Sequence, residues 1–326
     1  MPDQRCVCHF ERSEKFAFVV VARESRFLVA ALLGMTIVLA STPIVFAQTA
    51  PDAAYQQSFD KWKAELVDDL KQRWLPLAGL FWLKPGENTF GTDAGNAIVL
   101  PQNSAPAHAG SFQLTGKDVS VKLASGAQAK IEGKPFTTAQ LQPDTSGKPT
   151  VIEMGSLRMH VIVRGQRIGI RLKDLNNPAI QAYRGADFYP LNLAYRVTAE
   201  WVPSDGKKTV DVPDILGDID PTPVSGEVRF TLNGQPVTLT DLGGDPTKGL
   251  FFVFNDLTSK TETYPGGRFL DTDPVVDGKV VLDFNRAYSP PCSVTPYATC
   301  PLAPKENRLT IAVNAGQKYD RAHGHH

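Results

Sequence analysis

An imbalance of charge is the first thing this sequence lacks: 34 basic side chains meet 34 acidic ones, for a formal net charge of +0. A neutral chain offers no broad cationic surface, which argues against nucleic acid or an anionic membrane as its partner. Histidine is scarce, with six residues, and cysteine scarcer, with four. There is no Gly-x-Ser-x-Gly elbow, no His-Glu-x-x-His pair, no phosphate loop and no dinucleotide fingerprint. No cofactor is therefore expected. A Ser-His-Asp triad would have to draw on His108 or His160, and nothing marks a nucleophile for either. No metal site is expected. Cys6-Val7-Cys8-His9 has no second ligand pair at zinc spacing. Asp271, Asp273 and Asp277 resemble part of a calcium loop, but Val276 stands where its turn needs glycine and no Glu closes it. His323, His325 and His326 read as a frayed tail, taken as residues 319–326.

Long apolar runs are also missing, with one exception from Phe27 to Ala47. Small residues at Val45 and Ala47, with Pro43 just upstream, read as a signal-peptidase site. Residues 1–47 are thus expected to be a signal peptide with an extended front end, cleaved after Ala47, and the protein periplasmic or secreted. The alternative is an uncleaved anchor, since the run is long enough to span a bilayer. Membrane contact is expected through such a leader alone. Cleavage would leave 29 basic and 30 acidic side chains and remove Cys6 and Cys8.

What the chain has in quantity is turn chemistry, 26 Gly and 25 Pro, around short apolar runs. Before these comes an amphipathic helix, expected within 48–75. Tyr55, Phe59, Trp62, Leu66, Leu70 and Trp74 recur at three- and four-residue spacing from Pro51 onward. Beyond Pro76 the periodicity becomes two. Leu157 to Arg164 and Arg167 to Leu172 alternate on both sides of Gly165-Gln166 and predict a hairpin. Asn233-Gly234, between Val228 and Leu239, predicts another. Tyr195–Trp201 is expected to pair with Lys208–Val212 across Pro203–Gly206. Phe251–Phe254 and Val280–Phe284 read as buried strands. The fold class is mainly β, an antiparallel sandwich or barrel-like roll with an N-terminal amphipathic helix. One β-rich domain, 76–318, is expected, with Pro143–Pro149 as the candidate seam.

The densest chemistry lies late in the chain. Seven residues separate Cys292 and Cys300, in a loop stiffened by Pro290, Pro291, Pro296 and Pro301. In an oxidising compartment a disulfide is the first expectation, contributing about 2–3 kcal/mol by chain entropy. Separate thiols, or a metal or redox pair, remain the alternatives. Around the loop stand Arg268, Asp283, Asn285, Tyr288, Asn307 and Arg308. Arg167 and Arg171 share one face of the first hairpin, with Asp174 after them. Guanidinium forks on one surface suit a carboxylate or phosphate. The candidate ligand-binding set is therefore Arg167, Arg171, Asp174, Arg268, Asp283, Asn285, Asn307 and Arg308. Asp283 and Tyr288 are the catalytic candidates.

Several motifs resemble the bacterial DUF1684 family of unknown function. They are Leu77–Leu83 with Gly86 and Phe90-Gly91, Gly165-Gln166-Arg167 through Asp174, and Arg184-Gly185 with Phe188-Tyr189-Pro190. Tyr195-Arg196-Val197, Asp256–Ser259, Thr263-Tyr264 with Gly267–Leu270, Asp283-Phe284-Asn285 to Cys300, and Glu306–Leu309 follow. The resemblance runs from about Trp74 to Lys318. Ser289 departs from it, since Asn is expected before the paired prolines. It implies no settled reaction. The expected function is a secreted β-rich protein binding a small anionic ligand. The alternatives are a hydrolase with Asp283 as general base and Arg268 or Tyr288 stabilising charge, or a structural envelope protein.

Overall fold

The structure, a computed structural model, describes residues 51–319. The leader, with its Cys6–His9 motif and cleavage point, and the terminal histidines lie outside the described residues.

The first helix, α1 (Ala53–Asp69), is capped by Asp52, whose carboxylate accepts from the Tyr55 amide at 2.7 Å. It widens into one π turn, Leu70–Trp74, closed by Leu75 N donating to Leu70 O. Phe59 and Leu70 are buried, and Trp62, Leu66 and Trp74 of the same stripe pack, partly buried, against a core that includes Val253, Phe269 and Tyr288.

The strands that follow are β1 (Leu77–Trp82), β2 (Gly86–Gly91), β3 (Ile98–Val99), β4 (Gly110–Thr115), β5 (Asp118–Leu123), β6 (Lys130–Ile131) and β7 (Lys134–Pro135). Then come β8 (Thr138–Leu141), β9 (Ile152–Met154), β10 (Leu157–Arg164) and β11 (Arg167–Asp174). They form two sheets, ordered β1-β11-β10-β9-β6-β7 and β3-β2-β4-β5-β8. The inner faces share one core, from Phe90, Phe112 and Val121 on one side to Met159, Val161, Ile170 and Leu172 on the other. The turn after β1 therefore carries the chain from one sheet to the other. Asn88 holds it, accepting from Lys84 N at 2.9 Å and donating to Lys84 O at 2.8 Å. The expected seam at Pro143–Pro149 is stitched to this sandwich, with Pro143 bridging Val161 and the Asp144 carboxylate accepting from Val163 N at 3.0 Å.

After the short helix α2 (Pro178–Ala182) the chain forms β12 (Arg196–Pro203), β13 (Thr209–Pro213), β14 (Ile219–Pro223), β15 (Gly226–Leu232), β16 (Gln235–Thr240), β17 (Phe251–Phe254), β18 (Arg268–Asp271) and β19 (Lys279–Asp283). The predicted Asn233-Gly234 hairpin is β15–β16, with Asn233 at φ +51° and Gly234 at +76°. The pairing expected across Pro203–Gly206 does not form. β12 lies between β15 and β19, and β13 pairs with β14. Ser204 N donates to Ser225 O at 2.8 Å, drawing the connection toward residue 225 and leaving β13 to the later strand.

Two further cores meet at the β17–β18 hairpin. Phe252, Phe254 and Leu270 point into the core under the four-stranded sheet. Phe251, Val253 and Phe269 point the other way, onto β13–β14, the cysteine loop and the apolar face of α1. Burial on both sides explains an unbroken Phe-Phe-Val-Phe run where a half-exposed strand would alternate. The architecture is mainly β with one N-terminal helix, and its sheets are open, with no closed barrel among the described strands.

Candidate anion-binding site

Side-chain alternation divides the β10–β11 hairpin into an oily face and a basic one. Met159, Val161, Ile170 and Leu172 fill the core. The outward positions, Arg158, His160, Ile162 and Arg164, register against Lys173, Arg171, Gly169 and Arg167. Gly169 lets Trp82 of β1 lie against the strand, since a Cβ there would sit 2.8 Å from the indole. Arg167 stacks over that indole at 5.3 Å and donates to Asp218.

The middle of this basic face meets the cysteine loop. Thr299 Oγ1 accepts from Arg164 Nε at 2.9 Å and from Arg171 Nη2 at 3.2 Å. Arg164 also pairs with Asp144 at 2.7 Å, and Arg73 with Asp69 at 3.3 Å. The electrostatics register this crowding of cations. Burial, then Arg171, with Lys173 and Arg164 adding and Asp144 opposing, pushes His160 down to about 4. Burial, then Arg73 and Arg171, lowers Lys173, with Asp69 opposing. His160 is thus neutral near pH 7, beside guanidinium groups that share a hydroxyl oxygen as acceptor. Such a patch can receive the oxygens of a carboxylate, sulfate or phosphate.

The other candidates lie elsewhere. Arg268 is fully buried, its Nη2 2.8 Å from Asp256 and 3.0 Å from Val313 O, while Nη1 donates to Ala315 O. Asp283 ends β19 and accepts from the Tyr55 hydroxyl at 3.0 Å on both oxygens, from Asn285 Nδ2 at 3.1 Å, and faces Arg286 at 3.5 Å. Asn285 clamps Asn192, accepting from its N and donating to its O, both at 3.0 Å. Tyr288 is buried and donates to Asp271 at 2.8 Å; burial first, and Asp271 second, raise it well above the usual phenol value. Asn307 is wholly buried, bonded to Thr240 N and O and to Val253 O. Asp174 caps the next turn through Asn176 N. Arg308 is exposed, beside a shallow hollow of about 170 Å³ along β16. Arg167 borders a separate open hollow of about 280 Å³ with Trp82 and Gln166. The expected set therefore does not converge on one concavity. Arg268, Asp283, Asn285 and Asn307 tie chain segments together instead.

Cys292 and Cys300 are held as thiols and not as the expected disulfide. Both are buried, the Cys292 amide donates to Cys300 Sγ at 3.3 Å, and the Tyr264 hydroxyl donates to Cys292 Sγ at 3.3 Å. Tyr319, assigned from sequence to the tail, is docked, with its N on Glu262 O at 2.9 Å and its ring against Tyr264. Sequence reasoning missed Thr299, for which nothing in its surroundings is a signal. It also passed over Arg164 and Lys173, although the alternation that selected Arg167 and Arg171 places them on the same face. Among the described residues no group of three or more His, Cys, Asp or Glu gathers as a metal site.

Fold and geometry define a β-rich protein with a basic seam and buried polar clamps. The model of DUF1684, a family of proteins of unknown function, matches residues 181–318 of this chain. The match covers the later part of the stretch from Trp74 to Lys318 that carries the sequence resemblance. An uncharacterized protein of Haloarcula marismortui, solved by solution NMR, is 30% identical over 44% of this chain and 80% of its own, with a TM-score of 0.37. The FhaA FHA domain, solved in complex with the intracellular domain of Rv3910, is 14% identical over 29% of this chain and 97% of its own, at TM-score 0.21. No curated protein matches the chain.

Proposed function

We propose that this protein binds a small anion at the seam where Arg164 and Arg171 converge on Thr299, and not at the Arg268–Asp283 set. The observation that carries the reading is one hydroxyl oxygen accepting from two guanidinium groups, with Lys173 and a neutral His160 beside it. A ligand oxygen of greater charge would take the same donors more strongly. His160 supplies a test that holds whichever anion is the natural ligand. Its NMR titration is followed with and without inorganic sulfate, which keeps its charge through the acidic range. Bound anion stabilises the imidazolium, so the midpoint should rise from about 4. An unmoved midpoint at saturating millimolar sulfate would refute the site.

The hydrolase reading has less support, because both Asp283 oxygens already serve as acceptors for Tyr55. The signal-like run ending at Val45-Phe46-Ala47 supports a periplasmic or secreted location. N-terminal sequencing of protein from a native host should begin at Gln48.

A further inference from the structure

The two thiols and the basic seam are neighbours in the chain, Cys300 following directly on Thr299. The far side of Cys300 is anchored: its carbonyl accepts from Ile215 N at 3.1 Å, Pro301 bridges Asp214, and Leu302 N donates to Pro213 O at 2.7 Å. Cys292 is set in the single turn Pro291–Ser293, closed by Ser293 N on Pro290 O at 2.9 Å. The Cys292 amide reaches Cys300 Sγ, and the two side chains are hydrogen-bonded to each other as well. A bond between the sulfurs must draw Cys300 toward Cys292, and with its far side pinned the rotation falls on the Thr299 peptide. Thr299 Oγ1 is the atom on which Arg164 and Arg171 converge.

We infer that Cys292 and Cys300 are a reversible thiol–disulfide couple whose state sets the position of Thr299 between Arg164 and Arg171. The oxidant is a disulfide-bearing molecule such as oxidised glutathione. Cys292, acidified by the Cys300 hydrogen bond and the Tyr264 hydroxyl, attacks one of its sulfurs as thiolate. The first leaving thiolate takes up the proton Cys292 has lost. Cys300 then gives up its proton and attacks Cys292 Sγ, expelling the second half as a thiol. Two electrons and two protons pass from the pair to the glutathione. Burial of both sulfurs makes the exchange depend on loop opening, and so slow.

The inference rests on the anion reading only for its second readout. The full chain is equilibrated with reduced and oxidised glutathione and followed by intact mass, and His160 is titrated in each state without ligand. The expected result is a reversible loss of two hydrogens with a displaced His160 midpoint. Sulfate affinity should then differ between the states by about tenfold, the scale of one charge-assisted hydrogen bond. A pair that cannot be cycled, or two states with the same midpoint, would overturn the inference. A displaced midpoint with no sulfate binding in either state would overturn the anion reading alone.

Discussion

Arg268→Met removes one half of an ion pair whose two side chains are both 0% exposed. The substitution keeps an apolar stem of similar reach against Phe254, over which the guanidinium lies at 5.1 Å. It deletes the bond to Asp256 and those to Val313 O and Ala315 O. Burial pulls the Arg268 guanidinium below its ordinary value and Asp256 opposes that pull, so neither charge is comfortable alone. Leaving the other charge uncompensated in such a site costs about 3–5 kcal/mol. That is a large part of the roughly 5–15 kcal/mol a domain has in hand. Adding Asp256→Asn removes the stranded charge while keeping a side-chain oxygen for Thr258 N and Val313 N, which Asp256 Oδ1 now accepts. Urea unfolding followed by circular dichroism should show the double variant more stable than Arg268→Met alone. Limited proteolysis should show the single variant cleaved around residues 313–315. A single variant within about 1 kcal/mol of wild type, or a double variant whose losses simply add, would refute the structural assignment.

Two other outcomes follow from contacts elsewhere in the fold. His160 has its folded-state value lowered from 6.5 to about 4, so between these values the unfolded chain binds a proton that the folded chain does not. Stability should therefore fall as pH drops from about 6.5 to 4, by at most about 3 kcal/mol, and the loss is complete below that window. Thermal melts across this range should give a shallower slope for His160→Gln than for wild type. Tyr55→Phe and Asp283→Asn should each loosen α1 by about 1–3 kcal/mol, read as faster amide exchange over residues 53–69. Unchanged exchange would make Asp283 a functional candidate again.

The parts of the fold written in short-range pattern were legible. The helical stripe from Tyr55 to Trp74, the alternation on both arms of β10–β11, and Asn233-Gly234 each act within a few residues. The β12–β13 pairing was misread because adjacency and a turn-like link suggested it. β15 and β19 flank β12 instead, a choice made by long-range packing that no local window contains. The candidate site was half legible for the same reason. Alternation put Arg171 on an outward face, but only the fold brings Thr299, 128 residues later, against it. Arg268 shows the reverse error, since a cation in a loop-rich stretch reads as a ligand group until its burial with Asp256 is seen.

The N-terminal helix has its clamps at the opposite end of the chain. Tyr55 and Asp283 are 228 positions apart, as are Ser58 and Arg286. During synthesis, α1 emerges more than two hundred residues before the groups that hold it. Phe59 and Trp62 then wait, without Phe188 until mid-chain and without Tyr288 until nearly the end. Closing so long a loop places helix docking late in folding. A ribosome-bound fragment that stops short of residue 283 would thus display an aromatic helix with its C-terminal clamp still unmade, a form suited to capture by a chaperone.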